Sequence, residues 1–441
     1  MPSLSHPEYQ QAILAGRKAG TPSSNSKSVG AHAKCQDKHP VHDGCHVSDK
    51  LPMVAPPVEL YHPVFAKFLA DVNNPALVPP DNVVQDTAKL MRHLSEIHPF
   101  EAAGEPGLRR LLRDILSRAT VKLSTQHKTG LDLSWVSNRT SSPLAVVIIS
   151  VGKYKRWMDI GGNPSVQASY SYEADCVIPS NSHVIDDAVA LHAARIFHSL
   201  CLALDDLDKF YLELTPPSEP NNDRFFLSVH TFVSDGGRLV KFQYLEPLEK
   251  DMACMAFRAV VVSKDTAGDD KRQQGKGEVE VGHEIVVKFA ERYRAEAHRL
   301  LADVDLAPKL FYCGDISSDR RFNYSECRMI VMQYVKGQML TDFVKWPGMA
   351  PAPLCTQILQ AISHLHAQEL VHGDLRGLNI MICDEVGDAR VKVINFDWAG
   401  EVGKVRYPLH LSRGLWVDSV QDYGFIQQVH DLAMLAMLKK L

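Results

Sequence analysis

The stretch that most constrains this chain is ELVHGDLRGLNIMI, residues 369–382, in which two apolar runs enclose a short polar loop. Leu370-Val371 and Ile380–Ile382 read as strands. Between them stand His372-Gly373-Asp374, then Arg376, then Asn379. Phosphoryl transfer needs a carboxylate to orient an attacking hydroxyl or take its proton, and an amide or carboxylate nearby to hold Mg²⁺ on a nucleotide. The spacing H-G-D-x-R-x-x-N supplies both on one loop. A plain polar turn between two strands also accommodates these residue types, but it leaves the Asp374–Asn379 spacing unexplained.

Three neighbouring stretches have legible patterns. Glu284–Phe289 (EIVVKF) alternates as a half-buried strand does, and it carries one lysine, Lys288. Glu296 follows in YRAEAHRLLA, a helical pattern with Ala297, Leu300 and Leu301 on its apolar face. Arg328–Gly337 (RMIVMQYVKG) reads as a buried strand running into a polar linker. Each pattern alone fits many folds, as a core strand or a surface helix.

Together with HGDLRGLN, the strings VINFDWAG, VRYPLHLS and VHDLAML resemble a family of protein-kinase-like proteins abundant in mushroom-forming fungi. Gly373, where ordinary protein kinases usually carry arginine, resembles the aminoglycoside and choline kinase branch and some atypical protein kinases. The likeness covers roughly residues 237–441. It implies an α+β fold, bilobal, with a β-rich N-terminal lobe and a short helical C-terminal lobe, and ATP and Mg as cofactors. By the same resemblance Asp374 is the catalytic base and Arg376 a phosphate-facing cation, with Asn379 a metal ligand. Lys288 faces the α and β phosphates, held by an ion pair with Glu296. Met332 is the gatekeeper, and Gln333 to Val335 offer backbone groups to adenine. Asp431 matches the helix-borne aspartate that supports the catalytic loop, although a generic surface helix explains His430–Leu441 equally well.

The chain departs from that pattern in three places. The family is expected to show Asp-Phe-Asp-Trp, but here the string is Asn395-Phe396-Asp397-Trp398. Asn395 therefore stands where a carboxylate chelates Mg²⁺, and a neutral amide binds a hard cation more weakly. Asp397, two residues on, can take part of that role. Tyr244–Val262 (YLEPLEKDMACMAFRAVVV) contains no glycine, although kinases use glycines there to close backbone over phosphates. The stretch after Asn379 is also short for a full helical lobe with a separate substrate platform.

Upstream, residues 1–55 are rich in Ser, Pro, Gly, His and Lys and read as a disordered arm. Cys35, His39, His42, Cys45 and His46 within it are residue types that bind zinc, but C-x3-H-x2-H-x2-C matches no common structural zinc pattern. Residues 56–236 read as an α/β domain: an amphipathic helix at Leu108–Val121, a strand at Pro143–Val151, a turn at Asp159–Pro164 and a long helix at His183–Leu214. A hairpin follows, Arg224–Val233 with Arg238–Tyr244. In the resembled family this region often looks like a restriction-endonuclease-type fold. Here Asp132, Lys153, Lys155 and Gln167 are present, but Ile148, Ile149 and Ser150 stand where the second carboxylate belongs, so nuclease chemistry is not expected.

Composition sets outer limits. The 441 residues are 45% hydrophobic and 23% charged, with 48 Lys+Arg against 52 Asp+Glu and a net charge of −4. That balance gives no bulk attraction to nucleic acid or anionic lipid. The longest strongly apolar run, Leu144–Val151, is too short to span a bilayer, so no membrane partner is expected. Nine scattered cysteines and no signal-like start suggest reduced thiols and an intracellular, cytoplasmic or nuclear, location. Three functions stay open: a kinase-like phosphotransferase on a protein Ser/Thr hydroxyl, a pseudokinase acting as an interaction module for a protein partner, and a small-molecule kinase.

Overall fold

The computed structural model describes residues 30, 33–34, 56–95, 101–117, 133–138, 146–152, 187–213, 226–234, 237–249, 254–264, 279–344, 351–385, 388–409, 411, 417 and 419–438. The chain forms two compact units. One comprises Pro2–Ser228 with Asp319–Tyr324, and the other Val229–Ser318 with Ser325–Leu441.

In the first unit a 3-10 turn at Val58–Leu60 leads into α1 (Pro63–Val72), α2 (Asp81–Ser95) and α3 (Glu101–Leu116). Strands β1 (Leu133–Asn138) and β2 (Val146–Gly152) pair antiparallel, and α4 spans Asp187–Glu213. Pro63 opens α1 where a missing N–H costs nothing, and the His62 ring nitrogen accepts from Val64 N at 3.1 Å. One side of α4 buries Ala194, Phe197 and Leu204 against Leu90, Leu108 and Leu112, while Ala203 and Leu207 meet Val64 of α1. By length and composition α4 is apolar enough to cross a membrane. Within this unit 39% of its most apolar window is buried, and Asp206 near its end pairs with Lys67 at 2.6 Å.

The sequence expectations for this unit hold in part. The amphipathic helix starts earlier than Leu108 and stops at Leu116, where Ser117 turns to φ 51°. The hairpin expected to close this unit instead opens the next one, so the division falls after Ser228 and not after residue 236. The Cys35–His46 cluster, Asp132, Lys153, Lys155, Gln167 and the Asp159–Pro164 turn lie outside the described residues.

The second unit starts with β3 (Thr231–Val233), β4 (Leu239–Pro247), β5 (Ala256–Lys264) and β6 (Glu284–Ala290). Helix α5 (Ala295–Asp303) follows, then β7 (Leu310–Asp315) and β8 (Arg328–Gln333). These strands make one antiparallel sheet of order β3-β4-β5-β6-β8-β7. Gly237, at φ 74°, supplies the left-handed turn between β3 and β4. Alternation sets the faces: Ile285, Val287 and Phe289 are buried on one side of β6, which turns Glu284, Val286 and Lys288 to the other.

Beyond the sheet come β9 (Gln338–Met339), α6 (Leu340–Phe343), α7 (Ala352–His366) and β10 (Leu370–Val371). A 3-10 turn at Gly377–Asn379 precedes β11 (Ile380–Glu385) and β12 (Asp388–Val393), and β13 (Gly400–Glu401) and α8 (Gln428–Leu438) complete the unit. Strands β12-β11-β9 form a small sheet, and β10 pairs with β13. A single core joins Leu301, Ile358, Ile362, Ile380, Phe396, Tyr407 and Leu435.

Candidate active site

The polar loop lies between β10 and β11, and the antiparallel β11–β12 hairpin brings its end to the Asn395 segment. Ile380 pairs with Val393, and Ile394 N donates to Asn379 O at 3.0 Å, so Asn379 and Asn395 become neighbours. The loop is held from behind. The Asp431 carboxylate accepts from His372 N at 2.9 Å and from Gly373 N at 2.8 Å, and it is fully buried. His372 adds two bonds: its Nε2 faces Ile394 O at 3.1 Å and its Nδ1 faces Asp374 N at 3.3 Å. These fix the Nε2–H tautomer, because only a protonated Nε2 can donate to the carbonyl. Gly373 takes φ +79°, and a Cβ there would lie 2.8 Å from Ile426 Cδ1, so this position requires glycine.

Asp374 is 2% exposed. Its Oδ2 accepts from Asn379 Nδ2 at 2.6 Å, and Arg376 Nε lies 3.0 Å from its Oδ1. Burial raises the Asp374 carboxyl above the usual carboxylate range, and the nearby Arg376 guanidinium offsets part of that rise.

A directed chain of amides links this carboxylate to the sheet. Lys288 Nζ donates to Asn395 Oδ1 at 2.6 Å, and Asn395 Nδ2 donates to Asn379 Oδ1 at 3.2 Å. Asn379 Nδ2 in turn donates to Asp374. The cation at one end and the anion at the other dictate which way both carboxamides face. Asn395 sits at φ 66°, a left-handed conformation that asparagine tolerates better than most residues.

Lys288 does not meet Glu296. Its ammonium also lies 2.7 Å from both Asp397 oxygens, which makes Asp397 its counterion. Glu296 is a surface residue whose side chain is 67% exposed, and it pairs with Arg294 at 2.7 Å. The reason lies in the face of α5 that turns inward, which carries Ala297, His298 and Leu301. His298 stacks on Phe396 with centroids 4.7 Å apart, faces the Tyr293 hydroxyl at 2.7 Å and faces Pro308 O at 2.7 Å. Burial pushes the His298 imidazole down to about 4. No carboxylate from α5 enters the site, so the expected Lys288–Glu296 pair is corrected to Lys288–Asp397.

At the strand expected to meet adenine, Met332 is buried in β8 between Val286 and Leu310. Gln333 N is already used, donating to Lys309 O at 2.8 Å, and Tyr334 N donates to Glu284 O at 3.2 Å. Val335 makes no backbone hydrogen bond among the described residues, so its N–H and C=O are available to a ligand. The stretch without glycine is mostly strand, with only residues 248–255 between β4 and β5.

The structure thus gathers Asp374, Arg376, Asn379, Asn395, Asp397 and Lys288 at one place and leaves Glu296 outside. Sequence reasoning missed His298. Its signal was present in the helical period, since residues 297, 298 and 301 share one face.

The family model of the protein kinase domain matches residues 278–410. The serine/threonine-protein kinase PAK mbt of Drosophila melanogaster is 26% identical over 127 residues, which are 28% of this chain and 19% of that protein. Human serine/threonine-protein kinase PAK 4 is 36% identical over 78 residues, 17% of this chain and 13% of that protein. The solved structure of the Cydia pomonella granulovirus kinase PK-1 aligns over 45% of this chain and 66% of that one, at 17% identity and a TM-score of 0.31. The chain spans about a fifth or less of the curated relatives it matches. A protein kinase domain, α+β in fold, therefore lies in the C-terminal part of this chain, and its sequence relatives are serine/threonine kinases.

Proposed function

We propose that this chain is a slow ATP-dependent phosphotransferase acting on a serine or threonine hydroxyl of a protein. The observation that carries this reading is Asp374, buried and oriented by Asn379 and Arg376 on a loop pinned by Asp431. An acceptor hydroxyl at Asp374 finds a carboxylate to orient it and take its proton. Lys288 and Arg376 place positive charge beside the phosphates, and the Val335 backbone suits adenine. The kinase domain and its serine/threonine kinase relatives support the same class.

Kinases of this class also use a divalent cation, which neutralises phosphate charge. The candidate ligands Asn379, Asn395 and Asp397 do not form a seat for one. Asp397 is their one carboxylate. Both its oxygens and Asn395 Oδ1 hold the Lys288 ammonium, while Asn379 Oδ1 holds the Asn395 amide. Hard cations select anionic oxygen, and two of these three donors are neutral. That substitution favours a second reading, a pseudokinase serving as an interaction module.

Radiolabel transfer from ATP to a generic protein substrate separates the two. The expected result is slow labelling by the wild type that falls by about 100-fold or more in Asp374→Asn, the scale of a lost general base. Nucleotide binding with no labelling above that variant supports the pseudokinase instead.

A further inference from the structure

Charge counting at the site leads beyond that reading. Lys288 and Arg376 carry two positive charges, and Asp374 and Asp397 carry two negative ones. The pairs are direct: Lys288 to both Asp397 oxygens at 2.7 Å, and Arg376 to Asp374 at 3.0 Å. A carboxylate at position 395 would leave the set with an unbalanced negative charge, which a divalent cation is suited to neutralise. Asn395 removes that excess. Its amide instead relays Lys288 to Asn379, so the donor oxygens that would meet an ion already have internal partners. Among the described residues, no three His, Cys, Asp or Glu side chains converge as a metal site.

We propose that this site binds the polyphosphate of a nucleoside triphosphate without a divalent cation, with the Lys288 ammonium, seated on Asp397 and Asn395, as its resident positive charge. In this arrangement the ammonium already offsets the Asp397 charge, which reduces its repulsion of entering phosphates. The inference rests on the nucleotide-binding reading above. It adds that magnesium is not required for binding and that residue 395 is what removes the requirement.

The test is calorimetric titration of the full chain with a non-hydrolysable ATP analogue, in EDTA and in excess magnesium at matched ionic strength, for wild type and Asn395→Asp. Wild type should bind with the same affinity in both buffers. Asn395→Asp should bind about tenfold or more tightly with magnesium than in EDTA. Wild-type binding that weakens about tenfold in EDTA overturns the inference and leaves the phosphotransferase reading standing. No binding in either buffer overturns both. Thermal unfolding with manganese and no nucleotide gives an independent readout. The wild-type midpoint should stay fixed and the Asn395→Asp midpoint should rise, whereas a rise in wild type sinks the proposal. If Asn395→Asp does not fold, the two wild-type measurements decide the matter.

Discussion

The two walls of the candidate site, the loop and the sheet, are built on different principles. On the loop wall, His372, Gly373, Asp374 and Asn379 are neighbours in sequence, and each is fixed through a backbone group or a buried partner. On the sheet wall, Lys288 reaches across on a long flexible stem and takes the carboxylate it finds, Asp397, in place of Glu296. Positions set by backbone hydrogen bonds tolerate little change. Pairings made by long side chains can move to a new partner at low cost, because their geometry is paid for mainly in rotamer entropy.

The strongest way to break this contrast is Asp431→Ala. Asp431 is fully buried and satisfies two backbone N–H groups and the His366 ring, the latter at 3.1 Å. Removing it strands buried donors at about 1–3 kcal/mol each, so a loss of about 3 kcal/mol or more is expected. Urea unfolding followed by near-UV circular dichroism should show it, with Leu432→Ala on the exposed face of α8 as a near-neutral control. A loss below about 1 kcal/mol would mean that the loop wall is not pinned by α8.

The next effect is on pH. His298 titrates near 4 in the fold against 6.5 unfolded, so the folded state keeps it neutral. Below pH 6.5 the unfolded chain binds a proton that the folded chain refuses. Stability from this group is therefore intact above pH 6.5 and falls as pH drops toward 4, by about 3 kcal/mol in all. His298→Asn should flatten that part of the wild-type slope in denaturant titrations across the range. Asp374 acts in the opposite sense. Its raised carboxyl binds a proton more readily folded than unfolded, so protonation favours the fold, while transfer activity requires the ionised form. The acid limb of the rate profile should accordingly lie above the ordinary carboxylate range.

What could be read from sequence follows the same division. The loop, its flanking strands and the strand of Lys288 were legible, because period-2 patterns and short-range spacing encode them, whereas the β11–β12 pairing that brings Asn395 to the loop was not read. Asp431 was legible only through resemblance, since 57 residues separate it from Asp374 and no local pattern links the two. The Lys288 partner was misassigned because spacing along a helix does not say which face turns inward. Glu296 borders the apolar face of α5, and His298 occupies the place inside it. The sheet boundary was missed for a similar reason: a hairpin announces its own turn but not the sheet it joins.

The smallest effect tests the sheet wall directly. Glu296 is exposed and, among the described residues, pairs with Arg294, which has a second partner in Glu401 at 3.0 Å. Glu296→Ala should change stability by no more than about 0.5 kcal/mol and leave nucleotide affinity unaltered. Asp397→Ala, which removes both oxygens from a partly buried ammonium, should cost about 2 kcal/mol. The double variant should show no coupling, because the two acids share no partner. A loss of nucleotide affinity of about tenfold in Glu296→Ala would show instead that ligand entry draws Lys288 off Asp397 and onto α5. In that case the sheet wall has two arrangements, and the one seen here is the ligand-free member of the pair.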